Sequence, residues 1–190
     1  MSELKPAVFL DRDKTLNPDP GYISEPAQFE LFPGVGAALR RLQDAGFTLV
    51  VVTSQSGVAR GLISREQLEA IHDRMVMLLW RHGVRLAGIY VCPHHPDAGC
   101  PCRKPSPALI LQAAAELGLA LGASWTVGDK EADARMGLAA GTRTIRVGPP
   151  DTAMPADLAG RVPLVPDLPA AADLILADRA PEPPQPEPAP

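Results

Sequence analysis

Residues 7–15 read AVFLDRDKT. A short apolar run stops abruptly at an Asp-Arg-Asp triplet, the pattern of a buried strand whose carboxyl end meets polar chemistry. The same grammar recurs along the chain. FTLVVVT at 47–53 runs into Ser-Gln-Ser-Gly, IYV at 89–91 into a cysteine-rich loop, and WTV at 125–127 into Gly-Asp-Lys. TIRV at 144–147 gives a fifth strand, and a last short strand is expected near 162–165. Helical segments fill the gaps. Apolar spacing predicts one over 35–45, stopped by Gly46, and Ser64-Arg65-Glu66-Gln67 has the form of a capping box opening another that runs to about His82. Ser106 as N-cap with Pro107 at the first helical position starts a third, ending near Gly118. Further helices are expected over 131–140, stopped by Gly141, and over 168–177. Strand and helix alternate throughout, which predicts an α/β fold: a Rossmann-like three-layer α/β/α sandwich around a parallel sheet. In such sheets ligands bind beyond the carboxyl ends of the strands.

Composition narrows the function classes. The chain has 190 residues, 46% of them hydrophobic and 21% charged, with net charge −4. That suits one soluble domain with a sizeable core, and it supplies neither the basic field nor the aromatics expected of a nucleic-acid binder. No apolar run approaches a bilayer span and the N-terminus lacks the form of a signal peptide, so a cytoplasmic protein with no membrane partner is expected. Residues 1–178 read as a single domain and 179–190, RAPEPPQPEPAP, as a disordered proline-rich tail.

Four polar clusters sit just after strands: Asp11-Arg12-Asp13-Lys14-Thr15, Thr53-Ser54-Gln55-Ser56-Gly57, Arg103-Lys104-Pro105, and Gly128-Asp129-Lys130-Glu131-Ala132-Asp133. On one rim, Asp11, Asp13 and Asp129 would repel each other unless a hard divalent cation intervened, and oxygen ligands suit Mg2+. The Thr53 hydroxyl and the Lys104 ammonium suit phosphate oxygens, so the ensemble fits phosphoryl transfer. The chain holds only four lysines, and Lys14, Lys104 and Lys130 all fall in these clusters. Asp133 also reads as an acidic first-turn residue favoured by the helix dipole.

In order and strand context, Asp11-x-Asp13-x-Thr15, Thr53, Lys104 and Gly128-Asp129-x-x-x-Asp133 resemble the four motifs of the haloacid dehalogenase-like phosphatases across about residues 7–147. LDRD, GY, VVVTSQSGVARG, IYVCPHH, CPCRKP and VGDK are similar, more narrowly, to the bacterial D,D-heptose 1,7-bisphosphate phosphatases within the histidinol-phosphatase-related branch. The resemblance implies Asp11 as nucleophile and Asp13 as acid/base. It implies Mg2+ on Asp11, the Asp13 carbonyl and Asp129, with Thr53 and Lys104 on the phosphoryl group and Arg103 and Lys130 on the substrate. Two departures stand out. Lys14 occupies a position where the family usually has glycine, which permits unusual backbone geometry. Ser54, kept as a phosphate- or substrate-binding candidate, is shorter than the asparagine common there. The segments between the motifs are too short for a large cap domain, leaving a flap at 17–32 and the cysteine loop as the walls of an open site.

That loop, CPHHPDAGCPCRKP at 92–105, holds all three cysteines of the chain and two of its four histidines. Three cysteines cannot all pair, and cytosolic thiols stay reduced, so a metal is favoured over a disulfide or free thiols. Zn2+ takes thiolate and imidazole tetrahedrally. Cys92, Cys100 and Cys102 supply three ligands. His94, two residues from Cys92, can turn to the same side, whereas His95 points away. The related phosphatases also use the first histidine. Four protein ligands leave no open position, which makes this a structural zinc. His72 and His82 are expected to be solvated on a helix.

The expected activity is that of a monomeric Mg2+- and Zn2+-containing phosphatase acting on a small phosphorylated sugar, removing the C7 phosphate of a heptose 1,7-bisphosphate. A histidinol-phosphate phosphatase shares every motif. A nucleic-acid-end phosphatase is opposed by the acidic balance, and a non-catalytic binding module by the intact Asp pair.

Overall fold

Alternate residues of β1 (Ala7–Leu10) feed two different cores. Val8 and Leu10 join one hydrophobic cluster, while Ala7 and Phe9 join the other. β2 (Thr48–Ser54) alternates likewise, Leu49 and Val51 against Val50 and Val52. That is the signature of central strands covered on both faces. The computed structural model of the chain describes residues 4–178; the proposed tail at 179–190 lies outside them.

The remaining elements are α1 (Val35–Asp44), α2 (Arg65–Arg81), β3 (Leu86–Cys92), α3 (Ala108–Leu117), β4 (Trp125–Gly128), α4 (Glu131–Ala140), β5 (Arg143–Val147), β6 (Leu164–Val165) and α5 (Leu168–Ala177). All six strands pair in parallel in the order β3-β2-β1-β4-β5-β6. Apolar side chains of α1, α2 and α5 (Leu39, Met75, Ile175) pack in the first cluster, and those of α3 and α4 (Ile110, Met136) in the second. The fold is therefore the three-layer α/β/α sandwich expected. Among the described residues no separate cap domain intervenes between β1 and β2 or between β2 and β3.

The strand order reverses direction beside β1, with β2 on one side and β4 on the other. At such a switch point the connections leave in opposite directions and open a crevice at the carboxyl edge. Asp11 and Asp129 follow the two strands flanking that crevice, and the Asp11 amide donates to the Val127 carbonyl at 2.9 Å.

Two details differ from expectation. β3 begins at Leu86 rather than near 89, because Ala87 and Gly88 break the apolar run on a half-exposed edge strand. Pro107 rather than Ser106 occupies the N-cap of α3, although the Ser106 hydroxyl still accepts from the Ala108 amide at 3.3 Å. The segment at 17–32 forms a wall of the site as expected, with Asp19, Tyr22 and Ile23 lining the cavity. It is anchored by Ile23 and Phe29, buried in the first core cluster, and by the Gln67 side chain, which donates to the Ser24 carbonyl at 3.2 Å.

Candidate active site

At the carboxyl edge of the sheet a polar cavity of about 310 Å³ is lined by Asp11, Asp13, Thr53, Ser54, Arg103, Lys104, Lys130 and Asp133, with Tyr22 and Arg60 on its rim. Seven of the predicted site residues thus meet around one space. Asp129 faces the other side, where a larger and mostly apolar cavity of about 600 Å³ runs past Lys14, Phe32 and Leu168.

Lys104 stands at the centre. Its Nζ lies 2.6 Å from Asp11 Oδ1 and 2.6 Å from Asp133 Oδ1, and all three side chains are at least nine-tenths buried. Burial alone would lower the lysine pKa, but the two carboxylates outweigh it and raise it above the ordinary value. Burial dominates at Asp11 and, with Asp133 and Asp129 nearby, lifts its carboxyl to about 7 despite the pull of Lys104. Burial followed by Asp133 raises Asp129 as well. One ammonium among two buried carboxylates and a third that is half-buried leaves excess negative charge.

Ligand oxygens of Asp11, Asp129 and Asp133 lie within 4.8 Å of one another. Asp129 Oδ1 is buried without a hydrogen-bond partner. A hard divalent cation fits that donor set, since it takes carboxylate oxygens and cancels their repulsion. Asp133 plays two parts at once. Its Oδ2 accepts from the Lys130 amide at 2.9 Å, closing the first turn of α4, while its Oδ1 meets Lys104. Gly128 makes room for this, because a Cβ there would come within 2.4 Å of Asp133 Cγ.

The carboxylate of Asp13 is turned out of the acidic cluster. It accepts four hydrogen bonds: from Arg12 Nε at 3.0 Å, Arg12 Nη2 at 2.9 Å, Asn17 Nδ2 at 3.1 Å and Gln55 Nε2 at 2.8 Å. Burial opposes ionisation, but Arg12 first, then Gln55 and Asn17, hold the group below the usual carboxylate range. Arg12 is itself 2% exposed, and its Nη1 lies 3.2 Å from His72 Nε2. A guanidinium only donates, so His72 is the acceptor and is neutral at that nitrogen. Burial, then Arg12, lowers the His72 pKa to about 4. His72 is therefore buried between α2 and the site rather than solvated. That burial was missed from the sequence, although helical spacing was a signal for it, since His72 shares the buried face of α2 with Leu68, Ile71, Met75 and Leu79. Arg12, Gln55 and Arg146 were not singled out from the sequence either. Arg146 grips the Asp129 carbonyl, and no local signal distinguishes any of the three from an ordinary polar residue.

In the loop after β3, Cys92 Sγ lies 3.7 Å from His94 Nδ1 and 3.5 Å from Cys100 Sγ, and Cys102 Sγ lies 3.2 Å from His94 Nδ1 and 3.7 Å from Cys100 Sγ. A disulfide requires about 2.05 Å. A zinc tetrahedron with Zn–S near 2.3 Å has thiolate edges of about 3.8 Å, so the four groups are spaced as such ligands would be. His95 lies apart from them, its Nδ1 accepting from the Asp97 amide at 3.3 Å.

Comparison with known proteins agrees with this geometry. A family model described as HAD-hydrolase-like matches residues 101–174. The chain is 47% identical over 163 residues to a D-glycero-beta-D-manno-heptose-1,7-bisphosphate 7-phosphatase of Yersinia pestis, covering 80% of this chain and 87% of the relative. It is 44% identical over 162 residues to the protein of that name in Escherichia coli K12, covering 80% and 85%. A crystal structure of D,D-heptose 1,7-bisphosphate phosphatase from B. bronchiseptica, complexed with magnesium and phosphate, superposes with a TM-score of 0.82 at 33% identity, covering 91% of this chain and 99% of that one.

Proposed function

The chain belongs to the D-glycero-beta-D-manno-heptose-1,7-bisphosphate 7-phosphatase family of HAD-type phosphatases, and from that premise we propose that it hydrolyses the C7 phosphate of the β-configured heptose bisphosphate, releasing heptose 1-phosphate and orthophosphate. The observation that carries the chemistry is the buried Asp11–Lys104–Asp133 constellation opening on the same cavity as Thr53 and Asp13.

The Asp11 carboxylate attacks phosphorus, and an Asp11 O–P bond forms as the bond from phosphorus to the C7 oxygen breaks. Asp13 is the acid for that departing oxygen. Arg12, Gln55 and Asn17 hold its carboxylate ionised in the resting site, so it takes up a proton from solvent as substrate enters and then passes it to the C7 oxygen. Asp13, now a carboxylate, removes a proton from water, whose oxygen attacks the same phosphorus and restores Asp11. Lys104 and the Thr53 hydroxyl hold the phosphoryl oxygens, while Asp133 keeps Lys104 aimed. Asp11, Asp129 and the main-chain carbonyl of Asp13 would hold Mg2+, which offsets the negative charge gathered as phosphate meets carboxylate. Arg103, whose Nη1 is buried without a partner, and Lys130 meet the rest of the substrate, and Arg60 adds a further cation on the rim. Ser54, whose hydroxyl is also buried and unpartnered, is a substrate contact by the same reasoning. Cys92, His94, Cys100 and Cys102 would hold a structural zinc. The enzyme is read as a monomer working in the cytoplasm without nucleic-acid or membrane partners; among the described residues no helix is long and apolar enough to cross a bilayer.

The test is steady-state kinetics on the α and β heptose 1,7-bisphosphates beside histidinol phosphate. The β heptose substrate should give the highest kcat/KM, and Asp11→Asn should abolish phosphate release on all three. Faster turnover of histidinol phosphate overturns the substrate, and near-wild-type activity of Asp11→Asn overturns the nucleophile.

A further inference from the structure

Gln55 has no part in the chemistry just described, yet its side chain stands between two residues that do. It is 4% exposed. Its main-chain amide donates to the Cys92 carbonyl at 2.7 Å, anchoring it to the end of β3. Its Nε2 lies 2.8 Å from Asp13 Oδ2 and 2.8 Å from Thr53 Oγ1. The nitrogen is forced into that position, because a carboxylate oxygen has no hydrogen to give and an amide oxygen there would face it without a proton between them.

Both hydrogens of one amide are therefore committed, one to each neighbour. For Thr53 this settles the direction of the hydroxyl. Oγ1 accepts from Gln55, so its own proton is left to point into the cavity as a donor to a phosphoryl oxygen. For Asp13 it pins Oδ2, which Gln55 Nε2 shares with Arg12 Nη2 at 2.9 Å. The two hydrogens of an NH2 group diverge by about 120°, so acceptors at hydrogen-bond distance stand roughly 5 Å apart. The amide is thus a rigid spacer between the phosphoryl-holding hydroxyl and the proton-handling carboxylate.

We propose that Gln55 is a positioning residue that couples Thr53 to Asp13, so that seating the phosphoryl group and placing the carboxylate that moves the proton are one event. The proposal rests on the roles assigned to Thr53 and Asp13 above. Losing the spacer lets the two groups settle independently, and a displacement of about an ångström at reacting groups costs on the order of 100-fold in rate.

The experiment compares the Mg2+-loaded wild type with Gln55→Leu and with the near-isosteric Gln55→Glu, which keeps the volume but offers no N–H. Turnover of p-nitrophenyl phosphate is measured together with inhibition by inorganic phosphate and thermal midpoint. A double-mutant cycle pairs Gln55→Leu with Thr53→Val. Wild-type turnover of heptose bisphosphate in parallel tests the substrate assignment alone, since the ratio of variant to wild type on p-nitrophenyl phosphate does not depend on the sugar. Coupling predicts that kcat falls about 10- to 100-fold in both variants, that inorganic phosphate inhibits several-fold less well, and that the midpoint moves by only a few degrees. In the cycle the double variant should lose much less than the product of the two single losses. Gln55 is merely structural, and the proposal fails, if kcat stays within twofold while only the midpoint drops, or if the two losses multiply.

Discussion

Arg146 holds the main-chain carbonyl of Asp129, through Nη2 at 2.9 Å and Nε at 3.3 Å. Its remaining nitrogen, Nη1, donates to the Ala153 carbonyl at 2.9 Å. A guanidinium from the end of β5 thus ties the turn after β4 to the loop beyond it. The turn carries Asp129, so Arg146 fixes a metal-facing carboxylate from behind. Arg146→Met keeps most of the apolar stem but removes the buried guanidinium from the Asp129 and Ala153 carbonyls, at a cost of about 1–3 kcal/mol. The half-saturating Mg2+ concentration for activity should rise several-fold along with the loss of stability. Arg146→Lys should not restore it, because one ammonium cannot span both carbonyls. An unchanged Mg2+ requirement in a folded Arg146→Met protein would remove the link.

Lys14 has φ +62°, the left-handed region, in a chain where the other residues with positive φ are glycines among those described. A side chain there costs on the order of 1 kcal/mol. Lys14→Gly should therefore gain up to about 1 kcal/mol, after the extra freedom of glycine in the unfolded chain is counted, or about 2–4 °C in thermal midpoint. Lys14→Ala keeps the strain and should gain nothing. Lys14 also pulls down the pKa of Asp129 through its charge, so both variants should lose that help equally. A gain shared by glycine and alanine would assign the effect to charge rather than to backbone.

What was legible in the sequence was local. The strand runs, the capping signals and the polar residues just beyond each strand lie within a few positions of one another, and the parallel sheet then brings those ends together. The cysteine loop was legible for the same reason. Residues whose meaning depends on distant partners were not. Gln55 meets Asp13 across 42 positions and His72 meets Arg12 across 60, and neither pairing leaves a periodic trace. Asp133 shows an intermediate case. Its spacing from Gly128 suggested a site residue and its place in a first helical turn suggested a carboxylate favoured by the helix dipole; in the fold Oδ2 closes that turn on the Lys130 amide while Oδ1 meets Lys104.

The Arg12–His72 contact predicts a pH dependence. In the unfolded chain His72 titrates near 6.5, and in the fold burial and Arg12 lower it to about 4. Between those values the unfolded state binds more protons, so stability falls as pH drops from about 6.5 toward 4 and levels off below. The contribution is on the order of 3 kcal/mol. Asp11, raised to about 7 mainly by burial, slopes the other way over the same range. Subtracting the curve for His72→Gln, which keeps an acceptor for Arg12 but cannot charge, isolates the histidine. The variant's denaturant midpoint should rise relative to the wild type's as the pH falls from about 6.5 to 4, and a constant difference over that range would show that His72 does not carry the dependence.

The last prediction concerns the loop metal. Cys92 is the final residue of β3 and is fully buried, while Cys102 immediately precedes Arg103 and Lys104. Lys104 Nζ must stay within 2.6 Å of Asp11 Oδ1 for the cluster to hold together. A zinc shared by Cys92, His94, Cys100 and Cys102 would fix the path from the sheet edge to that lysine, and without it three thiols and an imidazole hold the loop only weakly. Elemental analysis should find about one zinc per chain. Removing it with a thiol-selective chelator, at saturating Mg2+, should lower kcat at least tenfold while the far-ultraviolet circular dichroism of the sheet and helices changes little. Cys102→Ser should behave like the stripped protein. Full activity without zinc would mean that the loop holds Lys104 in place by its own packing.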